Sequence, residues 1–426
     1  MVPCMFASDA NASKRMERGS ALLLLFVFLV IATHLELKTH GDDAWFQHVL
    51  DERSLGQFLV SRYNEWSGRI LLEALLAGTI RYGMVWKLGI PACFIGSAWC
   101  IWRLALSRQM LPMSGTLLVT LLMLCIDHAV LIDGGWWVTG FYNYLLPVTM
   151  GLFAFTVLLH GARGRLATMA GVLAAILCCQ HEQSAVALLA AMMGLLLVRA
   201  GSGIGMRREA VFLAAGLASA AVLFAAPGNV QRVQATLRLF PEYRDLGLIE
   251  KLGTGLDCLN AHLHSPDNLS IVIVAALSLL ATWKSPNRHW AKLPLCGALA
   301  VFIVNMLLMR AGLHDYPNYP GMSAHLGPAN WSRSGIYVSF FLTICFYGVL
   351  LASALYRSTT WKAALVDVGV PLLSVALVMA VSLSPTIYMS GERILYIPNL
   401  LLVLHACLML RDRPLVGGVV RSSVSP

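Results

Sequence analysis

Charge is scarce in this chain. Asp, Glu, Lys and Arg make up 12% of its 426 residues, about half the share of an average soluble domain. No polar stretch is long enough for a separate soluble domain, and the longest runs roughly from Pro227 to Asn268. Several strings that mark familiar chemistries are also missing. There is no CxxC, no HExxH, no G-x-x-x-x-G-K-[ST] and no G-x-S-x-G. Their absence argues against a zinc site of those types, against ATP-driven transport within this chain and against a nucleophile elbow. The ten cysteines lie mostly inside apolar runs, as Cys93, Cys100, Cys125 and Cys345 do, and Cys178-Cys179 has no metal-ligand spacing. They read as small membrane-embedded hydrophobes.

What the chain has instead is apolar length. It is 58% hydrophobic, and runs near twenty residues recur from end to end, which is the pattern of a multi-spanning helical membrane protein. The expected fold class is all-α, a polytopic transmembrane bundle of about twelve spans. These lie over 20–36, 84–106, 112–132, 141–161, 166–181, 184–200, 209–226, 269–284, 293–311, 335–356, 363–383 and 394–410. The segment from Leu55 to Tyr82 is amphipathic and suits the membrane surface. Lys14, Arg15 and Arg18 precede an apolar run that has no convincing small-residue cleavage site, so the first helix reads as retained.

The net charge of +9 does not point to nucleic acid, because the basic residues are scattered in short clusters between apolar runs, as cytoplasmic anchors beside anionic lipid are. With the N-terminus inside, more than half of the 31 Lys and Arg residues fall in short cytoplasmic segments, among them Arg103, Arg108, Arg207, Arg208, Lys284, Arg357 and Lys362. The positive-inside rule then places both termini in the cytoplasm. The expected organisation is a cytoplasmic tail over 1–19, one transmembrane domain over 20–411 with extracytoplasmic loops 37–83, 227–268 and 312–334, and a cytoplasmic tail over 412–426.

This orientation gathers the polar motifs on the extracytoplasmic side. Asp42-Asp43 comes first: one carboxylate could serve as general base on a hydroxyl while the other holds a metal or substrate, or the pair is simply a solvated loop start. Tyr63-Asn64-Glu65-Trp66-Ser67-Gly68-Arg69 follows, with aromatics suited either to sugar rings or to an interfacial belt. Trp136 to Tyr144 mixes aromatics with Thr139 and Asn143, groups fit for sugar hydroxyls or for a capped helix start, and Tyr142 lies among them. Asp127, His128 and Asp133 stand just before it. Gln180-His181-Glu182-Gln183 is a polar island between two helices. Pro227-Gly228-Asn229 has strong turn chemistry and leads to Arg232. Ser390-Gly391-Glu392-Arg393 closes the last outer loop. Basic residues on this side run against the charge bias, so Arg232 and Arg393 suit phosphate, or a salt bridge across the bundle. The loop from Gly312 to Ser334 holds His314, Asp315, His325, Trp331 and Arg333 and is a candidate lid or acceptor-binding loop.

Taken together, these strings resemble a family of uncharacterised bacterial polytopic proteins with a DD pair after the first helix, a Trp-Ser-Gly-Arg stretch, a Trp-x-Thr-Gly-x-x-Asn-Tyr segment, an acid-bearing loop and a Pro-Gly-Asn-x-x-Arg turn. Here they are Asp42-Asp43, Trp66 to Arg69, Trp137 to Tyr144, Glu182 and Pro227 to Arg232. That family is similar to the GT-C superfamily of integral membrane glycosyltransferases, which carry an acidic motif in the first extracytoplasmic loop. The resemblance implies a GT-C-like fold, a polyprenyl-phosphate sugar donor and a bacterial inner-membrane location. A large C-terminal soluble domain and a second acid cluster, found in other branches, are absent.

The expected activity is transfer of a sugar from polyprenyl phosphate to an envelope glycan or lipid acceptor. Asp42 and Asp43 are the catalytic candidates. Arg69, Arg232 and Arg393 are candidates for donor phosphate. Tyr63, Trp66, Trp137, Tyr142, Asn143, Glu182 and Asn229 are candidates for sugar or acceptor. A divalent cation such as Mg or Mn is a possible cofactor, membrane lipid a partner, and nucleic acid is not. A transporter or flippase of a lipid-linked glycan or small solute is the rival reading, since about twelve spans suit it. A non-catalytic envelope assembly subunit is a third.

Overall fold

In the computed structural model the described residues are 4–161, 164–200, 206–287, 289–313 and 334–411, and among them there are helices and no strands. Eight helices are long and apolar enough to cross a membrane, or up to ten if each of two bent pairs counts as one span. The protein is a multi-pass helical bundle. The first-loop elements are α2 (Gly41–His48), α3 (Leu55–Glu65) and α4 (Ile70–Thr79), which follow the long α1 (Cys4–His34). The expected spans then appear as α5 (Gly83–Ala105), α6 (Pro112–Leu124) with the short α7 (His128–Leu131), and α8 (Val138–Gly140) running into α9 (Leu146–His160). After them come α10 (Arg165–Cys178), α11 (Glu182–Ala200) and α12 (Arg207–Phe224). Next are α13 (Pro227–Leu239), α14 (Leu248–Leu263), α15 (Leu269–Trp283), α16 (Lys292–Arg310), α17 (Ser334–Arg357) and α18 (Trp361–Val381). The last described helices are α19 (Ile387–Ser390) and α20 (Tyr396–Arg411).

Of the twelve expected spans, eight match the long apolar helices, and two match the bent pairs. The remaining two are α10 and α15, at 14 and 15 residues, short of the roughly 20 that cross hydrocarbon. The 112–132 span is bent by 111°, and Asp127 sits at the corner. Its carboxylate accepts from the Ala129 amide at 2.9 Å and from the Ser265 hydroxyl, so it caps α7. The carbonyl of Cys125, left free by the break, accepts from the Ser270 amide at 2.8 Å.

Two expected loops are helical. Pro227 opens α13 at its first turn, where a missing N–H costs nothing, so the Pro-Gly pair starts a helix where the sequence suggested only a turn. The expected 1–19 tail likewise belongs to α1 from Cys4 onward. Within it, Glu17 accepts from the Met113 and Ser114 amides at 3.1 and 2.9 Å. It thereby satisfies donors that the first turn of α6 would leave unpaired.

Two sets of contacts mark the two ends of the bundle. At one, Gln109 bonds the Arg411 carbonyl, Arg199 pairs with Glu209, and Arg357 reaches Thr282. The basic residues that follow or precede long helices collect here. At the other end lie the start of α11, the junction of α12 with α13 and the segment before α9. The span Ile387–Arg411 runs through the interior with most of its residues buried, α18, α15 and α5 around it.

Candidate functional site

The first loop folds back on itself as a packed unit. Arg62 on α3 forms a bidentate pair with Glu73 on α4, at 2.5 and 3.0 Å, and lies over the rings of Trp45, Phe46 and Trp66. Cation–π contact and a nearly closed ion pair therefore lock α2, α3 and α4 together. This unit interlocks with the α12–α13 junction. A Cβ on Gly68 would stand 2.2 Å from the Leu223 carbonyl oxygen, and one on Gly228 would stand 2.3 Å from the Trp66 amide nitrogen. Only glycine permits two backbones to pass so closely. Tyr63 donates to the Val222 carbonyl at 3.3 Å and Asn229 to the Leu223 carbonyl at 2.8 Å, so both serve this junction.

Above the junction a single polar network joins residues far apart in sequence. Glu182, the first residue of α11, accepts from Arg69 at 2.9 and 2.6 Å and from Arg232 at 3.0 Å. Arg69 also donates to the Asn143 side-chain oxygen at 2.9 Å, and Asn143 donates to the Thr139 carbonyl at 2.9 Å. The Thr139 amide and hydroxyl in turn donate to one oxygen of Asp43, at 3.0 and 2.6 Å. The other Asp43 oxygen accepts from the Lys38 amide at 3.1 Å. Burial works against the charge of Arg69, yet the adjacent Glu182 carboxylate raises its pKa above the usual arginine value. One glutamate shared by two guanidiniums leaves the trio with a net positive charge.

The backbone around 132–145 is what brings Thr139 and Asn143 to this place. Ile132–Trp136 and Phe141–Leu145 are single widened π turns, a feature often found where helices carry function. Tyr142 is buried there, its hydroxyl 2.5 Å from that of Thr79. Trp137 lies beneath two cations, with the Lys38 ammonium 4.5 Å and the Arg393 guanidinium 5.2 Å from its ring centroid. The polar island is equally engaged. Gln180 accepts from the Leu71 amide and donates to Ser219, His181 packs edge-on against Tyr144, and Gln183 donates to the Leu377 and Ile394 carbonyls.

The structure thus joins Asp43, Arg69, Asn143, Glu182 and Arg232 in one network and puts Trp137 with Arg393 beside it through Lys38 and Thr139. Asp42 is exposed while Asp43 is fully buried, so adjacent carboxylates have different surroundings. Trp66 is partly open and Tyr142 closed off. The loop residues His314, Asp315, His325, Trp331 and Arg333 lie outside the described residues. Lys38 was not singled out from the sequence, although a base four residues before the aspartate pair was the available signal. Among the described residues no three His, Cys, Asp or Glu side chains gather in a metal-holding group, and the oxygens of Asp43 already accept three hydrogen bonds. This donor set does not fit a resident divalent cation, and no step is assigned to one. Comparison with family models, with curated proteins and with solved structures finds no match.

Proposed function

We propose that the protein is a membrane glycosyltransferase that moves a sugar from a polyprenyl-phosphate donor to a cell-envelope acceptor at the extracytoplasmic face of a bacterial inner membrane, on a GT-C-like scaffold. The observation that carries this reading is the convergence of Asp43, Arg69, Asn143, Glu182 and Arg232 at one end of the bundle, with Asp42 exposed beside Asp43. An ordinary connecting loop has no need to bind residues from five separate segments into one network.

In this reading Asp42 is the general base, because it is exposed and has no hydrogen-bonding duty comparable to that of Asp43. It takes the proton of an acceptor hydroxyl as that oxygen forms its bond to the anomeric carbon. The bond from that carbon to the phosphate oxygen breaks, and its electron pair leaves with the phosphate. Arg393, together with the net positive Arg69–Glu182–Arg232 trio, favours the charge that develops on the leaving group. Asp43 orients the segment that carries Thr139 and Asn143, and Tyr63 and the partly exposed Trp66 offer rings against which a sugar would stack. A single base acting opposite the leaving group predicts inversion at the anomeric carbon.

The test is turnover of radiolabelled polyprenyl-phosphate sugars by the purified chain in lipid nanodiscs. Asp42→Asn is expected to lower the rate by about a hundredfold or more, the usual contribution of a positioned base, with unfolding behaviour unchanged. Undiminished turnover in that variant removes the base. Movement of an intact lipid-linked glycan across the bilayer, with no sugar transferred, makes the protein a flippase instead.

A further inference from the structure

We infer that Lys38, Arg393 and the indole N–H of Trp137 form an anion site that receives a phosphate oxygen, and that the Arg69–Glu182–Arg232 trio beside it serves as its scaffold. This rests on the reading above for the identity of the phosphate carrier, and on geometry alone for the site. Three donors gather around one ring, of which Arg393 already gives one N–H to the Met389 carbonyl at 3.0 Å and keeps the rest of its fork. The Lys38 ammonium and the Arg393 guanidinium both stand over the Trp137 ring. Among the described residues neither has a carboxylate within ion-pair distance, in contrast to Arg62, Arg69, Arg81, Arg199 and Arg232. The Trp137 indole nitrogen is buried and has no hydrogen-bond partner.

Each fact alone is ordinary; their coincidence is not. Two cations over one ring repel each other, and the ring's attraction only partly offsets this. A buried indole N–H without an acceptor carries its own desolvation cost. One anion placed beside the ring relieves all of these at once. Asp43 accepts from the Lys38 amide and from Thr139, and Asp133, whose carboxylate lies against Gly391, forms no ion pair with Arg393 among the described residues. Glu392, the chain neighbour of Arg393, forms no ion pair among the described residues. By contrast, Arg69 and Arg232 already share Glu182, so an incoming phosphate would have to displace a carboxylate there.

The ligand chemistry is a phosphate monoester or inorganic phosphate, and the experiment separates the two sources. The full-length protein in phosphatidylcholine nanodiscs is titrated with radiolabelled decaprenyl phosphate, and inorganic phosphate is offered as competitor. Lys38→Gln and Arg393→Gln are each expected to weaken binding about tenfold, the loss of one charge-assisted hydrogen bond. Trp137→Phe, which keeps the ring and removes the N–H, weakens it by a smaller factor. Lys38→Arg retains binding and Lys87→Gln serves as a neutral control. Competition by inorganic phosphate at similar concentration makes a free anion the ligand, and its failure makes the lipid headgroup the ligand. Wild-type affinity in both Lys38→Gln and Arg393→Gln, with thermal unfolding unchanged, overturns the site. The two readings fail separately. Lipid-phosphate binding that depends on Lys38 without any sugar transfer sinks the transferase but keeps the site. Transfer with an unaltered donor KM in Lys38→Gln sinks the site but keeps the transferase.

Discussion

Asp42 and Asp43 are chain neighbours with opposite surroundings, and substitution separates them. Asp43 is fully buried and accepts from Thr139 twice and from the Lys38 amide. Asparagine there turns one acceptor into a donor facing a donor, so Asp43→Asn is expected to cost about 1–3 kcal/mol. Asp42 is exposed, and Asp42→Asn is expected to stay within about 0.5 kcal/mol of the parent. Thermal unfolding in detergent reads both, and equal losses would mean that burial does not distinguish the pair. Glu182 is a second residue-scale test. Its removal as a charge leaves Arg69 and Arg232, both largely buried, without their shared partner. Glu182→Gln should therefore destabilise by roughly 3 kcal/mol, and Glu182→Asp by less; a silent Glu182→Gln would show that the trio is not structural. At this scale the sequence exposed residue types well, because acids and arginines are conspicuous in an apolar chain. It could not reveal that Arg232 spends its charge on Glu182, since that pairing spans 50 positions and depends on which helix ends meet.

At the scale of elements, backbone proximity decides more than side chains do. The Trp66–Arg69 turn crosses the α12–α13 junction where Gly68 and Gly228 leave no room for a Cβ. The opposing atoms are main chain, which cannot swing aside as a side chain can, so Gly68→Ala and Gly228→Ala are each expected to cost about 1–3 kcal/mol or more. Gly78, inside α4 with open space where its Cβ would stand, is the control, and Gly78→Ala should stabilise by about 0.5–1 kcal/mol. Midpoints of thermal unfolding for the three variants check the contrast, and uniform behaviour would refute the crossing. The long apolar helices were legible from periodicity and length. The break at Asp127 was not, because a capping aspartate inside an apolar run looks like an isolated buried charge until Ser265 arrives from 138 residues away. Pro227-Gly228 misled in the other direction, since the same dipeptide serves a turn or the first turn of a helix.

For the whole molecule the feature to explain is the separation of its two polar ends. One end collects Arg and Lys at helix termini, with contacts such as Gln109 to Arg411 and Arg357 to Thr282. The other holds the Asp43–Thr139–Asn143–Arg69–Glu182–Arg232 network. Lys and Arg bias toward the cytoplasm is the physical rule that orients such a bundle, and applied here it predicts the network outside. The rule was readable from the sequence because it needs only a count along the chain. The joining of the network was not readable, because it depends on the 111° bend and the π turns that carry Thr139 and Asn143 toward Asp43. Single cysteines placed at exposed positions test the orientation: Asp42→Cys beside the network and Trp361→Cys at the basic end, where Trp361 is 60% exposed. A membrane-impermeant maleimide applied to intact spheroplasts should label the first and spare the second, and inside-out vesicles should reverse the pattern. The native cysteines lie buried or half-buried among the described residues and give the background against which both are read. Labelling of both positions from one side would put the two ends on the same leaflet and dissolve the separation on which the site's outward face depends.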